Sequence, residues 1–225
     1  MAVFAADSAL MRVLGRIGDV IVLNLLFVAT SLPVVTLGAS LTALSSTAMR
    51  IVRGRCQSVS ADYLAAFRAN LRSGTVLLAA LLGLGAVFAA WYLVVTAGVQ
   101  EPLLRLVLLA IWFVGALQLT MTVLFAFPYL ATFEDTTTRV LKNSLLMSWR
   151  HTLTAFTVLI ITALPVVISV FYPKAVGYGL LWFVIGFAVI AVVNGILFVR
   201  IFDRYIPAST STSDTEKDDP AHALP

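Results

Sequence analysis

The sequence predicts an all-α membrane protein, a polytopic bundle of helices, and three observations carry that reading. Of the 225 residues, 60% are hydrophobic and only 12% charged. The mean hydropathy is +1.00, far above that of a water-soluble domain. The charges are absent from five stretches, residues 20–49, 73–100, 106–133, 152–173 and 175–199. Each is longer than the roughly 18 to 20 residues that cross about 30 Å of hydrocarbon at about 1.5 Å per residue. Backbone polar groups cannot stay unpaired in lipid, so such segments must be helices. An ordinary soluble enzyme is excluded.

The first segment, 20–49, is broken at Pro33. In Thr30-Ser-Leu-Pro-Val-Val-Thr-Leu-Gly38, proline removes a backbone donor and clashes one turn back, while Gly38 loosens the chain. The segment either crosses once with a kink or folds as a hairpin. Basic residues distinguish the two, because positively charged loops stay cytoplasmic. With five crossings the large loops and C-terminus hold 11 Lys and Arg against 4 on the other side. With a hairpin the N-terminus returns and the count becomes 13 against 2. Each arm, however, then has only about 12 to 16 uncharged residues, short for a crossing.

The loop after this segment carries Leu64, Phe67 and Leu71 at helical spacing beside Arg68 and Arg72, with Ser60 and Asp62 suited to a helix start. It reads as an amphipathic helix on the cytoplasmic membrane surface. Residues 135–150 repeat the idea, with Leu141, Leu145 and Trp149 on one face and Arg139 and Lys142 near the headgroups. That helix is expected to run into the fourth segment. Arg68-Ala-Asn70 and Lys142-Asn143 hint at a duplicated unit. Pro165 should bend the fourth segment, whereas Pro128 and Pro173 fall near segment ends, where proline costs little. Residues 1–206 thus form one transmembrane domain. Residues 207–225, rich in Ser, Thr, Asp and Pro, form a disordered polar tail.

Basic residues between spans fit membrane topology better than nucleic acid. The apolar run after Arg12 and Arg16 is too long for a signal peptide and lacks a clear cleavage site. Cys56, the single cysteine, can form no internal disulfide and reads as a plain cytoplasmic thiol. Neither His151, at a segment boundary, nor His222, in the tail, has partners for a triad or a metal site, so no catalytic residue, metal or cofactor is expected. No ionisable side chain lies within a segment, which disfavours a proton or ion relay.

Neutral polarity remains. Asp19, Asn24, Ser31, Pro33, Thr36 and Gly38 mark the break as a candidate structural or binding element, with Gln118, Thr120, Thr122 and Asn194 further on. Broken helices form binding sites in some transporters, and uncharged hydroxyls and amides would suit a neutral sugar. The same groups would equally bond across helix interfaces. Ala79 and Gly83, Ala86 and Ala90, and Ala191 and Gly195 are small pairs suited to close helix contacts.

The series Asp19, Asn24, Pro33, Thr36, Gly38, followed by Phe67-Arg-Ala-Asn70 and Leu141-Lys-Asn-Ser144, resembles the YesL family of bacterial membrane proteins, over about residues 11–206. That family is of unknown function, and its genes often lie among those for carbohydrate uptake and polysaccharide degradation. The resemblance implies a role connected with sugar import and assigns no catalytic residue. The expected function is therefore an accessory component of ABC-type carbohydrate uptake in a bacterial cytoplasmic membrane, without catalytic activity. The alternative is a small facilitator of a neutral sugar built on the broken first segment. Expected partners are the lipid bilayer and importer subunits or a second copy. Phe67, Arg68, Asn70, Arg72, Arg139, Lys142 and Asn143 would form the cytoplasmic contact surface.

Overall fold

A computed structural model describes residues 9–133, 135–171 and 181–205. All regular structure among them is helical. Helix α1 is Ala9–Ser31. A 3-10 turn, Val34–Thr36, leads into α2, Leu37–Val52. Then come α3, Val59–Ala69, α4, Leu71–Gly98, α5, Pro102–Thr132, α6, Thr137–Arg150, and α7, Thr152–Phe171. A π-helical turn, Trp182–Gly186, opens α8, Phe187–Phe202. Six of these elements are long and apolar enough to cross a membrane, which makes the chain a membrane protein of all-α type.

The sixth candidate span comes from the break. Pro33 stands just before the 3-10 turn with an extended backbone, and the first segment becomes two helices. Its arms are longer than the uncharged run, because α1 begins ahead of Arg12, Arg16 and Asp19 and α2 continues past Arg50. Charges in the outer turns of a span extend into the headgroups without ending the helix.

The α5 helix runs through Pro128 and α7 through Pro165 without a break in helical structure. In each, a hydroxyl one turn later donates to the proline carbonyl: Thr132 to Pro128 at 3.0 Å and Ser169 to Pro165 at 2.8 Å. Residues 172–180, where the fourth expected segment ends and the fifth begins, lie outside the described residues, as do 206–225 with the expected tail.

Two apolar clusters share the interior. One joins Met49, Leu77, Phe125, Val158 and Phe198 from five helices, and the other joins Leu23, Phe27, Leu44, Tyr63 and Ala188. Outside them the spans present large apolar side chains, such as Leu82, Val87, Leu104, Phe113 and Val170, to the surroundings. In water such a surface would aggregate, whereas in a bilayer it contacts acyl chains.

The ends of three elements meet at one face. Arg53, just past α2, bonds Asp203, just past α8, at 2.7 Å. His151, between α6 and α7, bonds the Tyr205 hydroxyl at 3.1 Å.

Candidate functional site

Hydroxyls at the break serve part of its own backbone. A helix leaves its last carbonyls without partners, and in lipid water cannot supply them. The Thr36 hydroxyl donates to the carbonyl of Thr30 at 2.7 Å and to that of Pro33 at 2.8 Å. The Ser31 hydroxyl turns back to Val28 at 3.0 Å. Thr30 donates to Leu26 at 2.9 Å and also meets the hydroxyl of Tyr63 on α3. Leu32, Val34 and Val35 point outward, 69 to 77% exposed, so the tip of the turn is apolar.

Gly38 is an ordinary helical residue of α2 and does not loosen the chain as the sequence suggests. Its part is steric. A β-carbon on Gly38 would overlap the carbonyl oxygen of Gly74 on α4, and one on Gly74 would lie 2.8 Å from the backbone nitrogen of Ala39. The two glycines let α2 and α4 cross backbone to backbone. Thr75 adds a bond to the carbonyl of Val35 at 3.1 Å.

Asn24 is fully buried on α1 and aims at the π-helical turn. Its amide nitrogen donates to the carbonyls of Trp182 at 3.0 Å and Phe183 at 2.7 Å, and its oxygen accepts the Ala188 N–H at 2.9 Å. Phe183 and Ala188 are five residues apart, the spacing of a π-helical bond. The carboxamide thus stands between the two main-chain groups and serves both. Phe27 against Phe187, with ring centroids 5.3 Å apart, and Trp182, whose indole N–H donates to Ser169 at 2.8 Å, close the junction between α1, α7 and α8.

Most of the remaining polar groups are also engaged, whereas the side-chain oxygen of Asn194 is buried without a hydrogen-bond partner. Gln118 donates to Ser148 on α6 at 2.7 Å, and Asn194 donates to Thr162 on α7 at 3.0 Å. The hydroxyls of Thr120 and Thr122 bond carbonyls of their own helix. Of the small pairs, Gly195 does face α2, with a β-carbon there meeting Ala48 and Met49 at 3.6 Å, whereas Gly83 meets nothing within 4 Å.

A cavity of about 250 Å³ opens beside this junction, with walls that include Phe27, Leu44, Phe127, Val158 and Phe198 and polar points at Ser45, Thr162 and Asn194. Asn24, Ser31 and Thr36 are not among its lining residues. It lacks the dense polar lining with which a sugar exchanges its hydration.

The two surface helices differ from expectation. Helix α3 ends at Ala69, Asn70 stands at the junction with its amide on the carbonyl of Ala66 at 2.9 Å, and Leu71 and Arg72 open α4 instead of extending α3. Val59 and Tyr63 are buried, and Leu64 and Phe67 pack beside them against α1 and α2, while Arg68 is on the last turn. Helix α6 stops at His151 instead of continuing into α7. It turns Val140, Ser144 and Ser148 inward and leaves Leu145, Leu146 and Trp149 exposed alongside Arg139 and Lys142. Asn143 donates to the Tyr129 hydroxyl at 2.7 Å, which donates in turn to Asp135 at 2.8 Å. Asn70 and Asn143 therefore occupy unlike positions, a helix junction and a helix middle.

Near the Arg53 end, burial first and then the carboxylates of Asp62 and Asp19 push the Cys56 thiol up to about 11. Asp62 also pairs with Arg50 at 3.3 Å. Burial raises the Tyr63 phenol above its ordinary value. Burial, followed by the charges of Arg150 and Arg204, holds the His151 imidazole below its ordinary value. Among the described residues no three His, Cys, Asp or Glu side chains converge as a metal site would require.

Sequence reading missed Gly74 and the π-helical turn. A glycine that matters only through a second helix carries no local signal, and nothing in Trp-Phe-Val-Ile-Gly distinguishes π from α. No curated protein and no solved structure matches the chain. Residues 20–92, which run from α1 through the break, α2 and α3 into α4, match the family described as "Protein of unknown function, DUF624".

Proposed function

We propose that the protein is a non-enzymatic accessory component of an ABC-type carbohydrate importer in a bacterial cytoplasmic membrane. The observation that supports this best is the use of the break: Asn24, Ser31, Thr36 and Gly38 bond or pack within the chain. Asn24 and Gly38 join helices, Thr36 ties the two sides of the break, and Ser31 bonds back within α1. The connection with sugars comes from the resemblance to the YesL family.

With six crossings, both ends and the large loops share the cytoplasmic side, with 13 basic residues against 2. Importer subunits would meet the exposed face of α6, with Arg139 and Lys142, and the end of α3, with Arg68. Asn70 follows at the junction with α4, and Arg72 lies in the first turn of α4.

A strain lacking the protein, assayed for uptake over a panel of oligosaccharides and neutral monosaccharides, tests the reading. Uptake of at least one sugar should fall and return with the wild-type chain, while proteoliposomes holding this protein alone take up none. Unchanged uptake over the whole panel contradicts the accessory role. Saturable uptake by the protein alone would make it a facilitator.

A further inference from the structure

A second hollow, of about 360 Å³, lies where the end of α5, the outer half of α6 and the residues after α8 meet. It is set at the ends of spans, at the depth where headgroups begin. Its lining is of two kinds. Tyr129, Asn143, Arg150 and Tyr205 are polar, whereas Phe133, Leu146 and Met147 are apolar. Such a mixture fits a molecule with a polar head and an apolar stem.

The polar side is cationic. The Arg150 guanidinium sits over the Tyr205 ring, 5.7 Å from its centroid, and stacking of this kind fixes the plane while leaving the edge N–H groups free to donate. Arg204 follows next to Tyr205 in the chain. Among the described residues neither Arg150 nor Arg204 has a carboxylate within 4.0 Å. Asp135, which accepts from Tyr129 at the edge of the hollow, faces Arg139 at 3.9 Å. Burial first, and then the charges of these same two arginines, hold the His151 imidazole below its ordinary value.

We infer that this hollow binds the phosphate of an anionic phospholipid, with Arg150 as the principal donor, Asn143 and Tyr205 beside it, and Phe133, Leu146 and Met147 against the glycerol and first acyl carbons. A guanidinium offers a phosphate two parallel N–H donors, and basic pockets between spans are recurrent lipid headgroup sites. The apolar part of the lining selects a lipid over a free anion. The site is independent of the importer role.

Native mass spectrometry of the full chain, released from detergent with dioleoyl phosphatidylglycerol or with the same-chain phosphatidylcholine, tests it. The wild type should retain one phosphatidylglycerol in preference to phosphatidylcholine. Arg150→Gln should weaken that binding about fivefold, the effect expected of one basic side chain at an anionic surface. Arg150→Lys should keep most of it, and Arg105→Gln, at the opposite end of α5, should change nothing. Equal retention of the two lipids by the wild type overturns the site without recourse to any variant. So does an Arg105→Gln loss as large as that of Arg150→Gln, which would mean diffuse charge attraction. Displacement of the lipid by millimolar inorganic phosphate would reassign the hollow to a free anion and overturn the lipid.

Discussion

The side-chain oxygen of Asn24 accepts the backbone N–H of Ala188, 164 residues later in the chain, at 2.9 Å. The amide nitrogen of the same side chain serves the carbonyls of Trp182 and Phe183. One residue of the first helix therefore supplies the main-chain partners that a π-helical turn in the last helix lacks. An unmet backbone group in hydrocarbon has no water to turn to.

Asn24→Leu keeps a comparable volume and removes all three bonds. Interhelical hydrogen bonds in bilayers average only about 0.6 kcal/mol, but an orphaned buried N–H costs about 1 to 3 kcal/mol. The substitution should destabilise the protein by about 2 to 3 kcal/mol in all, read by denaturant unfolding in mixed micelles. Asn24→Asp should be worse, because a carboxylate cannot donate to the two carbonyls. Stability unchanged in both variants would remove Asn24 from this role.

The crossing of α2 and α4 predicts a contrast among glycines. Gly38→Ala and Gly74→Ala each drive a methyl into opposing backbone, and overpacking of this kind costs about 1 to 3 kcal/mol. Gly83→Ala, also in α4, has open space and should raise stability by up to about 1 kcal/mol through helix propensity. Thermal unfolding of the three variants side by side checks the order, and equal effects would place the crossing elsewhere.

Cys56 should react as a poor nucleophile. With its thiol pushed up to about 11, alkylation by iodoacetamide should climb about tenfold per pH unit from pH 7 to 10 without levelling. Asp62→Asn removes a carboxylate that favours the neutral thiol, so its alkylation should be faster at every pH in that range. A plateau near the ordinary thiol value of about 8.5 would show that the site is open to water.

The burial of His151 beside Arg150 and Arg204 gives stability a pH dependence. The imidazole's folded-state value lies below the ordinary one, so the unfolded chain takes up the proton more readily. The stability it contributes is present above the unfolded value of about 6.5 and is lost as pH falls below it. The difference in unfolding stability between wild type and His151→Gln should therefore shrink or reverse from pH 7.5 to pH 5.5. A difference that grows on acidification would mean that the protonated imidazole is favoured here.

Much of the fold was legible because the bilayer imposes one strong rule on composition. Uncharged runs located each span to within a few residues where both ends are described: 106–133 corresponds to Pro102–Thr132 and 73–100 to Leu71–Gly98. The break was legible from Pro33, a local effect of one missing donor and one clash. Its two arms were undercounted because Asp19 and Arg50 lie inside helices that continue past them. The extent of α3 was overestimated because Leu71 and Arg72 keep the helical spacing across a junction at Asn70. What Asn24 and Gly38 do was not legible, since each acts on backbone contributed by a distant part of the chain.

The most direct test of the accessory role is capture of the tagged full-length protein from native membranes in mild detergent, with mass spectrometry of what remains bound. Importer permease or solute-binding subunits should be recovered in stoichiometric amounts and lost when Arg139 and Lys142 on α6 are both replaced by Glu. Recovery of the protein alone, or only with further copies of itself, would contradict it.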